Sequence, residues 1–130
     1  MRHTKNSNRT IMVVDDDQDI LDMVSQVLKM DGYNVYCTPD PRELLSIAEP
    51  LPDLLILDIR LGEADGSKIC KLLKANDITK NLPVILLSAS VDIKESADQA
   101  GADDFIAKPF KIEDLTDKVQ KKLSYWSNFS

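Results

Sequence analysis

Histidine is almost absent from this chain, and its scarcity limits the chemistry that the protein can perform. The single histidine, His3, lies in a polar segment near the amino terminus. Catalysis that needs a histidine base is therefore not expected, and neither is a structural zinc site. The two cysteines, Cys37 and Cys70, lie among apolar neighbours and show neither a CxxC pattern nor a metal-ligand spacing. We expect both to be buried, unpaired thiols in a reducing compartment.

Glycine is also scarce, and this bears on nucleotide binding. The four glycines are Gly32, Gly62, Gly66 and Gly101. None of them forms the GxxxxGK or GxGxxG pattern that holds nucleotide phosphates. The chain is therefore not expected to use ATP itself.

Two further absences concern membranes and nucleic acids. No apolar stretch approaches membrane-spanning length, and no apolar segment follows the basic amino-terminal residues to complete a signal peptide. The chain has 16 basic and 22 acidic residues, a formal net charge of −6. It lacks the basic excess that is typical of nucleic-acid-binding surfaces. We therefore predict neither a membrane partner nor a nucleic-acid partner.

Apolar runs and helical periodicity alternate along the 130 residues, a length that suits a single domain. Five strand-like runs are separated by segments with apolar residues at helical spacing. Five strands alternating with five helices predict an α/β fold, a doubly wound parallel sheet with helices on both faces. We expect the domain to span residues 10–124, between a flexible tail at residues 1–9 and a C-terminal tail at residues 125–130. The strand-like runs are residues 11–14, 35–37, 54–57, 84–87 and 105–107.

The helix-like segments carry signals for their ends and their buried faces. Asp17 fits the N-cap of the first helix, and Asp40 followed by Pro41 fits the start of the second. Leu21 lies about 100° from Ile20 around the first helix, at the edge of its apolar face. The apolar face consists of Ile20, Met23, Val24, Val27 and Leu28 in the first helix, and of Ile69, Leu72 and Leu73 in the third.

Polar residues follow the apolar runs at the ends of four predicted strands. Asp15 and Asp16 follow the first strand, and Asp58 follows the third. Ser88 follows the fourth strand and Lys108 the fifth. In a parallel sheet these ends lie at one edge, and in the strand order 2-1-3-4-5 the first and third strands are neighbours. All five residues would then line one cleft.

Each of these residues also has a purely structural interpretation. Asp58 alone could start a turn, and Asp15 and Asp16 could belong to a solvated capping cluster. Lys108 could be a surface lysine and Ser88 a turn serine. Three carboxylates crowded in one cleft, however, would repel one another unless a cation bound them, and oxygen ligands suit magnesium. Lys108 would then suit a phosphoryl oxygen.

In their order along the chain, these motifs resemble the receiver domain of bacterial two-component response regulators. The resemblance covers about residues 10–123 and implies a flavodoxin-like fold with the strand order 2-1-3-4-5. One departure is Gly62, which stands in the loop after Asp58 where the family usually has a proline; we expect this loop to be looser. The matching pieces are Val13-Val14-Asp15-Asp16-Asp17, Leu57-Asp58-Ile59-Arg60-Leu61, Asp65-Gly66, Ser88-Ala89 and Lys108-Pro109-Phe110.

The resemblance also implies a role for each acidic residue of the cleft. It makes Asp58 the phosphoacceptor. Asp16 would be a direct ligand of Mg²⁺, and Asp15 a second acid that acts largely through water. The main-chain carbonyl of Arg60 would be a further ligand of the same ion.

The implied function is that of a phosphorelay protein. Asp58 would accept a phosphoryl group from a sensor histidine kinase or a histidine phosphotransfer protein, and Ser88 and Lys108 would hold the phosphoryl oxygens. Phe105 occupies the family's aromatic switch position. With no output domain visible after the receiver region, the signal is expected to pass through contacts with a downstream protein whose identity the sequence does not give. Apart from phosphorylating and dephosphorylating itself, the protein is not expected to be an enzyme, and its expected location is the cytoplasm.

The surface that faces the kinase in this family would here include Leu21, Pro109 and Phe110. We expect Leu21 to be partly exposed and to anchor the phosphodonor protein. The alternative is that Leu21 only widens the apolar face of the first helix. Exposed leucines are common enough to keep both interpretations open.

Two other functions compete with the phosphoacceptor hypothesis. A receiver-like scaffold would bind partners without phosphorylation, and the intact set of five cleft residues argues against it. A magnesium-dependent phosphohydrolase also uses an aspartate nucleophile, but such enzymes generally need an inserted cap or substrate pocket. A chain of 130 residues has no spare length for one.

Overall fold

The computed structural model describes the backbone of residues 8–129 and the side chains of residues 8–123. His3 and most of the predicted amino-terminal tail therefore lie outside the described residues. The side chains of the predicted C-terminal tail, residues 125–130, lie outside them as well. Among the described residues, no helix has both the length and the apolar character needed to cross a bilayer.

The strands are β1 Thr10–Val14, β2 Asn34–Thr38, β3 Leu54–Asp58, β4 Arg60–Leu61, β5 Ala64–Asp65, β6 Val84–Ser88 and β7 Asp104–Ala107. Five of them are parallel and form the central sheet, in the order β2-β1-β3-β6-β7. Numbered by the five predicted strands, this order is 2-1-3-4-5, so the predicted fold class is confirmed. A short antiparallel hairpin, β4–β5, forms a second sheet that the sequence analysis did not predict.

All five predicted helical segments are present, but the second is a 3-10 helix of six residues, Pro41–Ser46. Its Glu43 accepts hydrogen bonds from the hydroxyls of Tyr36 and Thr38, so its carboxylate holds the segment against β2. The last helix continues to Phe129, past residue 124, where the sequence predicts the domain to end. The α-helices are α1 Gln18–Met30, α2 Gly66–Ala75, α3 Ile93–Ala100 and α4 Ile112–Phe129.

The orientation of α1 differs from the predicted one. Leu21, Val24 and Leu28 are its buried residues, whereas Ile20 and Met23 are only partly buried. Leu21 is 2% exposed, so the prediction of a partly exposed docking residue is wrong. Positions i, i+3 and i+7 share one face of a helix, and in α1 this face begins one residue later than predicted.

The helix α2 shows a related discrepancy on the other face of the sheet. Cys70 and Leu73 are buried, while Leu72, predicted to belong to the apolar face, is 64% exposed. Both cysteines are unpaired, as expected, but Cys37 is only half-buried. Burial raises the pKa of both thiols, that of Cys70 to about 11.

The core consists of two clusters, one on each face of the sheet. The first cluster packs α1 and α4 against the sheet, and the second packs the 3-10 helix, α2 and α3 against the opposite face. The strands alternate between them: Leu54 and Ile56 of β3 belong to the first cluster, and Leu55 and Leu57 to the second. This alternation follows from the two-residue period of a strand and leaves Asp58 at the edge of the sheet.

Candidate functional site

Asp58 lies at the carboxyl end of the central strand β3, which is flanked by β1 and β6. Asp58 as a whole is only 5% exposed, so its side chain is almost fully buried. It nevertheless lines an open cavity of about 350 Å³ at this edge of the sheet. The other lining residues are Asp16, Asp17, Arg60, Ser88, Ala89, Ser90 and Lys108.

Lys108 and Asp15 form the inner part of the site. The Nζ atom of Lys108 donates to Oδ2 of Asp15 at 2.9 Å and to Oδ2 of Asp58 at 3.2 Å. Asp15 is fully buried, and its second oxygen accepts the main-chain N–H of Asp17 at 3.0 Å. Lys108 thus connects the ends of β1, β3 and β7, as the strand order predicts. The peptide bond between Lys108 and Pro109 is cis.

Asp16 and Asp17 have different surroundings although they are adjacent in the chain. Asp17 is the N-cap of α1, and its side chain accepts the N–H groups of Asp19 and Ile20. The Oδ2 atom of Asp16 instead accepts the main-chain N–H of Gly62 at 3.0 Å. Asp17 is therefore the helix cap that the sequence predicts, and both residues line the cavity.

Ser88 lies on the wall of the cavity and Phe105 lies away from it. Ser88 is 6% exposed, and its hydroxyl oxygen accepts the N–H of Ser90 at 3.0 Å. Phe105 does not line the cavity but packs, half-buried, against the second core cluster. The Nζ atom of Lys118 lies 5.2 Å from the centre of its ring. The structure thus brings together Asp15, Asp16, Asp58, Ser88 and Lys108, and keeps Phe105 apart.

The buried charges shift the pKa of Asp58 and Lys108 in a way that follows from their positions. Burial, with the negative charge of Asp15 as a second cause, raises the pKa of Asp58 from 3.8 to about 6. Lys108 opposes this shift without cancelling it. Burial lowers the pKa of Lys108, but its hydrogen bond to Asp15 and the charges of both carboxylates outweigh burial, so its pKa is raised. Lys108 therefore stays a cation at neutral pH.

A divalent cation fits this group of carboxylates. One oxygen from each of Asp15, Asp16 and Asp58 can be chosen such that all three lie within 4.8 Å of one another. Hard oxygen donors of this kind suit Mg²⁺, and a cation would relieve the repulsion that raises the pKa of Asp58. Arg60, whose main-chain carbonyl is predicted as a further ligand, lines the same cavity.

The loop after Asp58 contains regular structure that the sequence analysis did not predict. It forms the hairpin β4–β5, in which Arg60 pairs with Asp65 and Leu61 pairs with Ala64. At the turn, Gly62 adopts φ +62°, a conformation that suits a tight turn and that proline cannot adopt. The expectation of a looser loop stays a prediction. The contact between Gly62 and Asp16 was also missed, because no local pattern links residues so distant in the chain.

Gly66 supplies a second contact that the sequence analysis did not assign. A Cβ atom at Gly66 would lie 2.1 Å from the main-chain oxygen of Asp58. Only glycine therefore allows the start of α2 to approach β3 this closely. The Asp65-Gly66 pair in the sequence was a signal for this contact, since Asp65 caps α2 through the N–H of Ser67.

Comparisons with known proteins agree with the fold. The family described as "Response regulator receiver domain" matches residues 11–120. The DNA-binding dual master transcriptional regulator RpaA of Synechocystis sp. is 36% identical over 116 residues, which are 87% of this chain and 48% of RpaA. The transcriptional regulatory protein PrrA of Mycobacterium tuberculosis is 38% identical over 116 residues, 87% of this chain and 49% of PrrA. The chain thus spans about half the length of these two relatives.

Solved structures give the same result. A putative response regulator from Chloroflexus aurantiacus superposes with a TM-score of 0.83 at 35% identity, covering 89% of this chain and 98% of that one. The chemotaxis response regulator CheY4 of Vibrio cholerae superposes with a TM-score of 0.78 at 28% identity, covering 88% of this chain and 98% of that one. Both structures match the described sheet and its helices over nearly their whole length.

Proposed function

The chain belongs to the response regulator receiver domain family, and from this premise we propose that Asp58 accepts a phosphoryl group from a phosphohistidine. The donor would be a sensor histidine kinase or a histidine phosphotransfer protein. Receiver domains pair with sensor kinases and are generally signalling domains rather than enzymes. The observation that carries the proposal is a nearly buried carboxylate, 5% exposed, that lines an open cavity and contacts Lys108 at 3.2 Å.

The transfer would proceed by in-line attack. A carboxylate oxygen of Asp58 attacks the phosphorus atom, and the bond between phosphorus and the imidazole nitrogen breaks. The electron pair leaves with the imidazole, and an acyl phosphate forms on Asp58. Lys108 would neutralise charge on the phosphoryl oxygens, and the hydroxyl of Ser88 would donate to one of them. Both side chains already line the cavity.

We propose that Asp15, Asp16 and Asp58 hold Mg²⁺, together with the main-chain carbonyl of Arg60. When bound, the ion supplies positive charge that offsets the carboxylates and the phosphoryl oxygens. The protein's own residues position the charged groups and exclude water. Asp15 keeps Lys108 in place through their 2.9 Å contact, and burial keeps water from one side of the Asp58 carboxylate.

The output is proposed to pass through protein contacts. Once Asp58 carries a phosphoryl group, Ser88 would move toward it and Phe105 would turn into the space that opens, which shifts a two-state equilibrium. The relatives include a regulator named as DNA-binding, so the prediction of no nucleic-acid contact applies to this domain and not to a longer protein. The proposed location is the cytoplasm, where both thiols would stay reduced.

The test is labelling with acetyl phosphate in magnesium, followed by intact mass. We expect one phosphoryl adduct on the wild-type protein and none on Asp58→Asn. The matched control is Asp53→Asn, a carboxylate at the opposite edge of the sheet, which should label normally. No adduct on the wild type would favour the scaffold alternative, and steady turnover of a small phosphoester would favour a phosphohydrolase.

A further inference from the structure

We propose that the hairpin β4–β5 is a positioning element for the divalent cation, and that it acts through the main-chain N–H of Gly62. This inference rests on the metal site proposed above. The N–H donates to Oδ2 of Asp16 at 3.0 Å, although the two residues are 46 positions apart in the sequence. The bond therefore joins the segment that follows the acceptor strand to the end of β1.

The hairpin is anchored firmly enough to position a side chain. Arg60 pairs with Asp65 and Leu61 with Ala64, which leaves Gly62 at the turn. Leu61 is 4% exposed and belongs to the second core cluster. A hairpin fixed to the core by a buried leucine holds its turn, and the N–H at that turn, in one place.

The base of the hairpin rests directly on the phosphoacceptor strand. The N–H of Gly66 donates to the main-chain oxygen of Ile59 at 2.6 Å. The missing side chain of Gly66 lets it approach the main-chain oxygen of Asp58, which a Cβ atom would meet at 2.1 Å. Gly66, the residue that follows the hairpin, therefore lies against the backbone of Asp58, and the turn contacts Asp16. The hairpin thereby links the two acidic residues.

Asp16 needs such a support more than Asp15 does. Asp15 is fully buried and held by both Asp17 and Lys108, whereas Asp16 is exposed. An exposed carboxylate samples several rotamers unless a hydrogen bond selects one. A carboxylate has about four acceptor sites, so the N–H of Gly62 occupies one and leaves the others for a cation. Partners of this kind orient metal ligands and raise affinity.

Thermodynamic linkage makes the effect reciprocal. If the N–H of Gly62 favours cation binding at Asp16, a bound cation must favour the hydrogen bond by the same factor. Magnesium should therefore slow hydrogen exchange at the Gly62 amide. A cation that instead competes with the N–H for Asp16 would speed the exchange.

The sharpest test removes the N–H of Gly62. Replacing the Gly62 amide by an ester through semisynthesis deletes this donor and, as in the control below, makes the carbonyl of the preceding residue a weaker acceptor. We expect the magnesium affinity, measured by amide chemical shifts, to fall about tenfold, the lower end for loss of a ligand-orienting partner because Asp16 is exposed. The matched control is the same replacement at Ile78, an exposed loop N–H that donates to Oδ1 of Asn76 at 2.8 Å. That control should bind magnesium within twofold of the unmodified protein.

The inference is overturned if the Gly62 ester binds magnesium within twofold of the unmodified protein, or if the Ile78 ester weakens binding equally. Hydrogen exchange of the unmodified protein keeps the test decisive if the ester fails to fold: no slowing at Gly62 with magnesium also contradicts the inference. Acetyl phosphate labelling separates the two proposals. If Asp58 is labelled normally but the Gly62 ester binds magnesium as tightly as the unmodified protein, only the role of the hairpin is contradicted. If the Gly62 ester binds magnesium more weakly but the unmodified protein is not labelled at all, only the phosphoacceptor role is contradicted.

Discussion

At the amino edge of the sheet each charged aspartate has a cation of its own, whereas at the carboxyl edge Asp15 and Asp58 share Lys108. At the amino edge, Oδ2 of Asp103 accepts the N–H of Val84 at 2.8 Å and Nζ of Lys74 at 2.7 Å. At the carboxyl edge, two buried carboxylates depend on one ammonium group at 2.9 Å and 3.2 Å.

The other aspartates of the amino edge repeat its pattern. Asp53 accepts the N–H of Thr10 at 2.7 Å and lies 3.9 Å from the guanidinium of Arg9. Asp104 pairs with Lys118 at 2.7 Å, and these contacts lower the pKa of its carboxyl despite partial burial. Here the carboxylates tie strand ends to neighbouring elements.

The difference separates an edge whose aspartates are paired locally from an edge whose two buried carboxylates share one cation. A pKa raised to about 6 means that ionised Asp58 costs stability, while the lowered pKa of Asp104 means that ionisation adds stability. Perturbed groups in a cleft of this kind mark functional sites. Under the proposed function, the same charge would prepare Asp58 to bind a cation and to attack phosphorus.

The largest effect on the free energy of unfolding is expected for Lys108, the cation that Asp15 and Asp58 share. In Lys108→Met, two buried carboxylates lose their partner, and we expect a loss of about 3 kcal/mol in unfolding free energy at pH 7 without magnesium. Lys74→Met at the amino edge should cost about 1 kcal/mol, because Asp103 is partly exposed and keeps the N–H of Val84. Urea unfolding measures both. Equal losses would break the distinction between the two edges.

Magnesium provides a second comparison between Lys108→Met and Lys74→Met. Saturating magnesium should recover a larger part of the stability lost in Lys108→Met than of that lost in Lys74→Met, because a ligand that binds the native state stabilises it. Recovery of the same size in both variants would mean that the carboxylates near Lys108 do not hold the ion.

An intermediate effect is expected at Asp103. Asp103→Asn removes the ion pair with Lys74 but can still accept the N–H of Val84, so we expect a loss of about 1 kcal/mol. Acetyl phosphate labelling of Asp58 should be unchanged, since Asp103 lies at the opposite edge. Slower labelling at unchanged stability would assign this edge a part in the reaction.

The smallest effect is expected at Lys118. In Lys118→Met, Asp104 keeps the N–H of Phe105 at 2.8 Å and the more distant Lys122 at 3.8 Å. We therefore expect a loss of about 0.5 kcal/mol, including the contact of the ammonium with the ring of Phe105. A shift in the urea midpoint comparable to that of Lys108→Met would contradict the view that this edge is locally satisfied.

The sequence was sufficient to predict which residues meet at the carboxyl edge of the sheet, but not the individual contacts between them. Apolar runs ending in Asp15, Asp58 and Lys108 sufficed, because parallel strands place their carboxyl ends together. The rotation of α1 could not be read off, since Leu21 and Ile20 are neighbours on one helical surface and only packing decides between them. The bond from Gly62 to Asp16 was unpredictable for another reason: it depends on a turn with positive φ and on the distance between two strand ends.

The raised pKa of Asp58 makes the central comparison measurable through pH. An acid whose pKa is about 6 in the native state and 3.8 when unfolded keeps its proton longer in the native state. The native state therefore binds more protons between these values, and stability falls as pH rises through that window. The side chain of Asp58→Asn cannot ionise, so the variant does not lose this stability. Below about pH 4, Asp58 of the wild type is protonated in the native state, so the wild type does not lose it either.

The most direct test is the unfolding free energy of Asp58→Asn against the wild type from pH 4 to pH 7.5, without divalent ions. We predict that the variant is more stable by on the order of 1–3 kcal/mol above pH 6 and that the difference disappears near pH 4. Magnesium should narrow the gap at pH 7, because only the wild type has all three carboxylates. A variant less stable than the wild type at pH 7, or a difference that does not change with pH, would contradict the account.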